Sequence, residues 1–258
     1  DRYMEGNQNA LTAQQQIGKQ LFENKAKCIN CHGGAEFTNA SVQNVRGERL
    51  ERMEMGDGGQ AVYDNGFYNI GVRPTLEDLG VGGTDPFGNP LSESRLAQQG
   101  RFQQLLGENP NEAVSVNQRI AADGAFKTPG LRNVEMTAPY FHNGGQLTLR
   151  QVVDFYNRGS DFHEVNINNL DPDIQNLGLN EEEKEAIVAF LKSLTDDRVR
   201  YQRAPFDHPQ LFIPNGHPGD QTFVTNSGSG LATDELVEIP AIGRNGGTPL
   251  PNFLEPLS

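Results

Sequence analysis

The sequence predicts a mainly α-helical fold with long irregular loops, followed by an extended C-terminal tail. Three observations carry this expectation. Three segments open on residue pairs that make capping boxes and continue with apolar residues at helical spacing. Between them run stretches rich in Gly, Asn and Pro: the 258 residues hold 29 glycines and 15 prolines, and only 35% of the chain is apolar. Beyond residue 195 the periodicity stops, and the remainder holds eight of the fifteen prolines. We therefore expect one domain over 1–195 and a Pro/Gly-rich tail over 196–258, wrapped over the domain or onto a neighbour.

The first helix is predicted over 12–25. Thr12 and Gln15 fit a capping box, in which each side chain satisfies a backbone donor of the other. Ala13, Ile17 and Leu21 fall at i, i+4 and i+8 and predict its apolar face. Residues 33–75 read as irregular, with short apolar pieces, and 76–99 as a loop around "GVGGTDPFGNP". Leu96, Phe102, Leu105 and Leu106 predict a helix around 93–106. The stretch "FKTPGLRNVEMTAPYFHNGG" (126–145) is punctuated by Pro and Gly and reads as extended segments and turns. Thr148 with Gln151 opens the next helix, whose inward face carries Leu149, Val152, Val153 and Tyr156. Asn180 with Glu183 opens a helix over 181–195. Its stripe is Ile187, Phe190, Leu191 and Leu194, and Glu181–Glu183 suit the positive helix N-terminus.

Composition narrows the function. A formal charge of −13 argues against nucleic acid and anionic lipid as partners. No run of ~18 apolar residues occurs, so no membrane span is expected. The chain opens Asp1-Arg2-Tyr3 without an initiator Met, which reads as a processed product or a fragment.

Both cysteines fall in "CINCH", as Cys28 and Cys31, with His32 directly after. Cys-x-x-Cys-His is the attachment motif of c-type haem. On a helical turn, two thiols three positions apart each reach one porphyrin vinyl group, and the next side chain turns its imidazole toward iron. Zinc is a poor rival, because a structural site wants four Cys or His ligands and no second Cys pair exists. A redox dithiol would sit in a βαβ context, which is missing. The motif predicts one covalent haem c with His32 as the proximal iron ligand. The helix bearing "GKQLF" and the helix near 190 match the pair that cross in cytochrome c-like domains. Covalent haem attachment takes place outside the cytoplasm, so the protein is expected to be periplasmic or otherwise exported.

Four stretches extend the argument: "DRYMEGNQNALTAQQQIGKQLF" (1–22), "KCINCHGGAEFT" (27–38), "FKTPGLRNVEMTAPYFHNGGQLTLRQVVDFYNRG" (126–159) and "LNEEEKEAIVAFLKSLT" (179–195). In these the sequence resembles the bacterial dihaem cytochrome c peroxidases and their MauG-like relatives. The resemblance covers most of 1–195; the segment 45–100 is longer than in a minimal member, and 196–258 has no counterpart. It implies the C-terminal half of such a protein, whose haem relays electrons, while a second haem domain or chain N-terminal to it meets peroxide. A small redox protein or a protein substrate would donate the electrons. The resemblance also implies Tyr156 as distal iron ligand, in the position of MauG's tyrosine; the alternative is a core tyrosine with a satisfied hydroxyl. It places Arg132 and His142 near the haem, with Arg132 on a propionate. It further implies a calcium half-site at the carbonyls of Thr137 and Pro139.

Other readings stay open at this stage. Met53 and Met55 could swing inward as distal ligands, whereas Met136 reads as core and Met4 lies near the terminus. Lys127 reads equally as a solvated charge. The chain could be a stand-alone mono-haem electron carrier without catalysis, or hold a five-coordinate haem that meets peroxide directly.

Overall fold

The computed structural model describes residues 1–216, 230 and 234–252. The chain divides into two compact units, Asp1–Leu194 and Thr195–Pro251. In the first unit the order is α1 (Ala13–Glu23), a 3₁₀ turn at Cys28–Asn30, α2 (Val42–Val45), β1 (Leu50–Glu54), β2 (Gln60–Asp64) and β3 (Phe67–Tyr68). There follow α3 (Glu93–Gln98), α4 (Phe102–Leu106), β4 (Phe126–Lys127), a 3₁₀ turn at Val134–Met136, α5 (Leu149–Arg158), α6 (His163–Asn166) and α7 (Glu181–Lys192). Helices and irregular segments dominate, as expected. Among the described residues no helix is long and apolar enough to cross a membrane.

All three capping boxes form. Thr12 with Gln15, Thr148 with Gln151, and Asn180 with Glu183 each exchange side-chain and backbone hydrogen bonds. Each satisfies two N–H groups that the first helical turn leaves without partners.

The core lies where α1 meets α7. Phe22 and Phe190 are buried with ring centroids 5.3 Å apart, edge to face, and Phe37 packs against both. Each such ring contributes ~1.5–3 kcal/mol by leaving water. The helices approach at Gly18, where an added Cβ would stand 1.9 Å from the Ala186 carbonyl oxygen. This corrects the predicted face of α1. Ile17 is 52% exposed and Ala13 is exposed, while Gly18 and Phe22 are buried and Leu21 half-buried. The inward stripe runs through a glycine, which carries no apolar signal yet is needed for the backbone of α7 to come so near. On the far side of α7, buried Lys184 donates to Asp154 of α5 at 2.8 Å and ties the two helices.

Two other expectations change. The helix around 93–106 is two helices, α3 and α4, separated at Gly100, whose φ of +68° suits glycine. The stretch 33–75 holds a hairpin: β1 and β2 pair antiparallel from Leu50↔Asp64 to Glu54↔Gln60. Its sequence signal was the turn "GDGG" (56–59) alone, since neither flanking run, LERME or QAVYD, alternates.

The second unit carries α8 (Asp197–Arg200) and an antiparallel hairpin of β5 (Leu211–Pro214) with β6 (Leu236–Ile239). The tail is thus partly regular rather than wholly extended. Residues 217–229, 231–233 and 253–258 of the expected tail lie outside the described residues.

Candidate functional site

The chain leaves α1 at Asn24 and reaches the CINCH turn through Lys27, whose φ of +55° reverses direction. The turn closes when the His32 amide donates to the Cys28 carbonyl at 2.8 Å. Asn39 then fastens it three ways. Its amide donates to the Cys31 carbonyl at 2.9 Å, its side-chain nitrogen to the Asn30 carbonyl at 2.5 Å, and its side-chain oxygen accepts from the Gly33 amide at 3.2 Å. From the opposite side the Asp173 carboxylate accepts from Lys27 Nζ at 2.6 Å and from Asn30 Nδ2 at 2.7 Å.

The thiols and imidazole held in this way open on a cavity of about 480 Å³. That lies within the range of small-ligand and cofactor sites. Its walls are largely apolar: Phe22, Ile70, Leu131, Val134, Leu149, Val153, Ile187 and Leu191 contribute. Cys28 and Cys31 form no disulfide. Burial pushes the Cys28 thiol up to about 12. Burial raises Cys31 as well, and the carboxylates of Asp171 and Asp173 add to it. Both sulfurs are therefore neutral thiols facing the cavity.

His32 Nδ1 lies 3.0 Å from the Phe37 carbonyl oxygen. A carbonyl only accepts, so Nδ1 carries the proton and Nε2 keeps its lone pair. Burial lowers the imidazole's pKa, opposed by the carbonyls of Phe37 and Pro129. A neutral imidazole oriented through Nδ1–H is the form that ligates iron.

Tyr156 of α5 lines the same cavity. Phe155 and Phe141 hold its ring, with centroids 5.3 and 6.2 Å away. Burial raises its phenol pKa, and the neighbouring thiols and Asp171 raise it further. The described residues offer no hydrogen-bond partner to its hydroxyl, so a polar atom faces an apolar cavity unpaired. None of the four methionines lines that cavity. Met55 is 2% exposed and packed with Ala61, Tyr63 and Tyr68, with Met53 beside it.

His142 lines the cavity. Its Nε2 lies 2.7 Å from Asp78 Oδ2 and its ring stacks on Phe126 at 3.5 Å. Thr137, Pro139 and Lys127 also line it. Arg132 does not. Its guanidinium donates to the Ala35 carbonyl and to the Asp1 carboxylate, and it lies over the Phe37 ring. Lys27, which pairs with Asp173, and Arg73, which pairs with Glu77, line the cavity as well.

Sequence reasoning missed Asp171 and Asp173. Asp171 is 4% exposed, lines the cavity, and is pushed up to about 6 by burial. The only trace in the sequence was the acidic "DPD" (171–173), which carries no periodicity.

The donor set fits a porphyrin joined through two thioethers. Two neutral thiols, an imidazole with a free nitrogen, apolar walls and an unpaired hydroxyl share one cavity, and the class this defines is a c-type haem domain. Comparison with known proteins agrees. Cytochrome-c peroxidase IdrP2 of Denitromonas iodatirespirans is 30% identical over 197 residues, covering 76% of this chain and 44% of that protein. The methylamine utilization protein MauG of Methylophilus methylotrophus is 25% identical over 204 residues, covering 78% of this chain and 43% of that protein. The crystal structure of a MauG-like protein associated with microbial copper homeostasis aligns at 24% identity, over 76% of this chain and 50% of its own, with a TM-score of 0.46. No protein-family model matches the chain. The chain belongs to the family of cytochrome c peroxidases and MauG proteins. It spans about half the length of the curated relatives it matches.

Proposed function

We propose that residues 1–194 hold one covalent haem c and relay electrons in peroxide-dependent chemistry of the cytochrome c peroxidase/MauG kind. The observation that carries this reading is the shared cavity: Cys28, Cys31 and His32 open onto it, and so does the unpaired hydroxyl of Tyr156. Cys28 and Cys31 would bind the porphyrin, and His32 Nε2 and the Tyr156 hydroxyl would be the groups offered to the iron. When bound, a haem supplies one-electron chemistry. A phenolate ligand favours higher oxidation states, which suits storage of oxidising equivalents rather than a high potential. Arg73 and Lys127 would meet the propionates, and His142, held by Asp78 and Phe126, would keep its ring at the wall.

In this proposal the chain works beside a second haem domain or chain, where peroxide is cleaved. A small redox protein, or a protein substrate that becomes oxidised, supplies the electrons. The setting is periplasmic, because covalent haem attachment occurs there. Calcium could draw on the carbonyls of Thr137 and Pro139, with its remaining protein ligand from the second haem domain.

The test compares peroxide consumption by the haem-loaded chain alone with that by the chain joined to its second haem domain. The proposal expects slow consumption by the chain alone and fast consumption by the joined protein. Fast turnover by the isolated chain, with its haem six-coordinate throughout, would overturn it.

A further inference from the structure

Outside the immediate haem ligands, one cluster combines two aromatic hydroxyls, a carboxylate and a route to the cavity. Tyr68 lines the cavity and packs with Cys31. Tyr63 lies beside it, with ring centroids 5.8 Å apart and an interplanar angle of 40°. Both rings are buried, at 7% and 6% exposure. Their hydroxyls have opposite partners. Tyr68 Oη accepts from Asn39 Nδ2 at 3.3 Å, so its hydrogen bond comes from a donor that cannot take a proton. Tyr63 Oη donates to the carboxylate of Glu51 across the β1–β2 ladder.

We propose that Tyr68 and Tyr63 form a side-chain electron path out of the haem cavity, with Tyr63 as its oxidisable end and Glu51 as its proton acceptor. The proposal rests on the haem reading above. A phenol is hard to oxidise unless its proton leaves with the electron. Here Tyr63 gives up one electron, through Tyr68, to a haem that carries an oxidising equivalent from peroxide. The phenolic proton moves along the existing hydrogen bond to Glu51. The products are a neutral Tyr63 phenoxyl radical, a protonated Glu51 and a haem reduced by one electron. One electron from an external reductant and return of the proton restore the phenol. Burial and the nearby carboxylate hold the Tyr63 phenol well above its usual range, so the proton does not leave before the electron. Tyr68 lacks a base and serves as the bridge. The pair would draw oxidising equivalents away from the haem when no other donor is bound.

The test uses the haem-loaded chain oxidised by photogenerated ruthenium(III) tris-bipyridine, without peroxide, and read by electron paramagnetic resonance of frozen samples. A tyrosyl radical signal is expected in the wild type. Tyr63→Phe should lose it, and Glu51→Gln should lose most of it, because an amide cannot accept the proton. Tyr201→Phe, a tyrosine of the second unit that does not line the cavity, should retain it. The haem absorption spectrum should be unchanged in all three, showing that the fold holds. A signal undiminished in Tyr63→Phe or Glu51→Gln, or no radical in a haem-loaded wild type, overturns the proposal alone. Intact mass of the same sample separates the two failures: a chain without porphyrin overturns the haem reading, and this proposal with it.

Discussion

Gly18 on α1 and Ala186 on α7 meet backbone to backbone, with 1.9 Å between a Cβ built on Gly18 and the Ala186 carbonyl oxygen. The Phe190 Cβ is 2.9 Å from the same point. Neither neighbour is the free end of a flexible chain, so the helices must separate to admit a methyl group. Gly18→Ala is expected to destabilise the fold by about 1–3 kcal/mol or more, despite the higher helix propensity of alanine. Denaturant unfolding checks this, and an equally stable variant would show that the helices do not cross there.

Asp173 holds the CINCH turn through Lys27 and Asn30. The Lys27–Asp173 pair is partly exposed, so the ion pair is discounted for solvent and the loss on Asp173→Ala is set at about 1 kcal/mol. The larger effect is expected on haem attachment, because the turn that presents both thiols loses its brace. The ratio of haem-bearing to haem-free chain by mass measures it; an unchanged ratio would show that Asn39 alone fixes the turn.

Burial pushes the carboxyl of Asp171 up to about 6, from an ordinary value of 3.8. The native chain therefore binds this proton more tightly than the unfolded chain. Its stabilising contribution is fully present below the unfolded value and is lost as pH rises through the folded one. The full change is roughly 3 kcal/mol, at about 1.4 kcal/mol per unit. Asp171→Asn keeps an acceptor for the Asp173 amide and removes the titration. Relative to the wild type, the variant should gain stability between pH about 4 and about 7. A difference that stays flat across this range contradicts the assignment.

These three residues show what the sequence could carry. Haem chemistry was legible in Cys28, Cys31 and His32, because the spacing itself is the mechanism. The three capped helices were legible because a capping box is a local signal, complete within four residues. Gly18 was not legible, since its role comes from a helix some 170 residues away in sequence. The 50–64 hairpin was hidden because its strands do not alternate: β2 buries Ala61, Val62, Tyr63 and Asp64 in succession. Asp171 and Asp173 acquire their roles only when their segment folds back onto the turn at 27–30, which no spacing announces. Arg132, expected at a propionate, shows the reverse: a resemblance placed it at the haem, and this structure pairs it with Asp1.

Tyr156 is the sole tyrosine on the helix face expected to meet the iron, and the four methionines lie away from the cavity. Tyr156→Phe should shift the ferric absorption spectrum toward that of an open site and leave thioether attachment intact. The wild-type ferric form should show no near-infrared band of the methionine-ligated type. An identical spectrum in the variant removes Tyr156 as a ligand.

The central claim is that the 28/31 thiols carry a porphyrin. Intact mass spectrometry of the chain, made alongside a working cytochrome c maturation system and stripped of non-covalent ligands, tests it most directly. The account predicts a mass increase of one haem in the wild type and none in Cys28→Ala/Cys31→Ala. A wild-type chain at its bare polypeptide mass would contradict it.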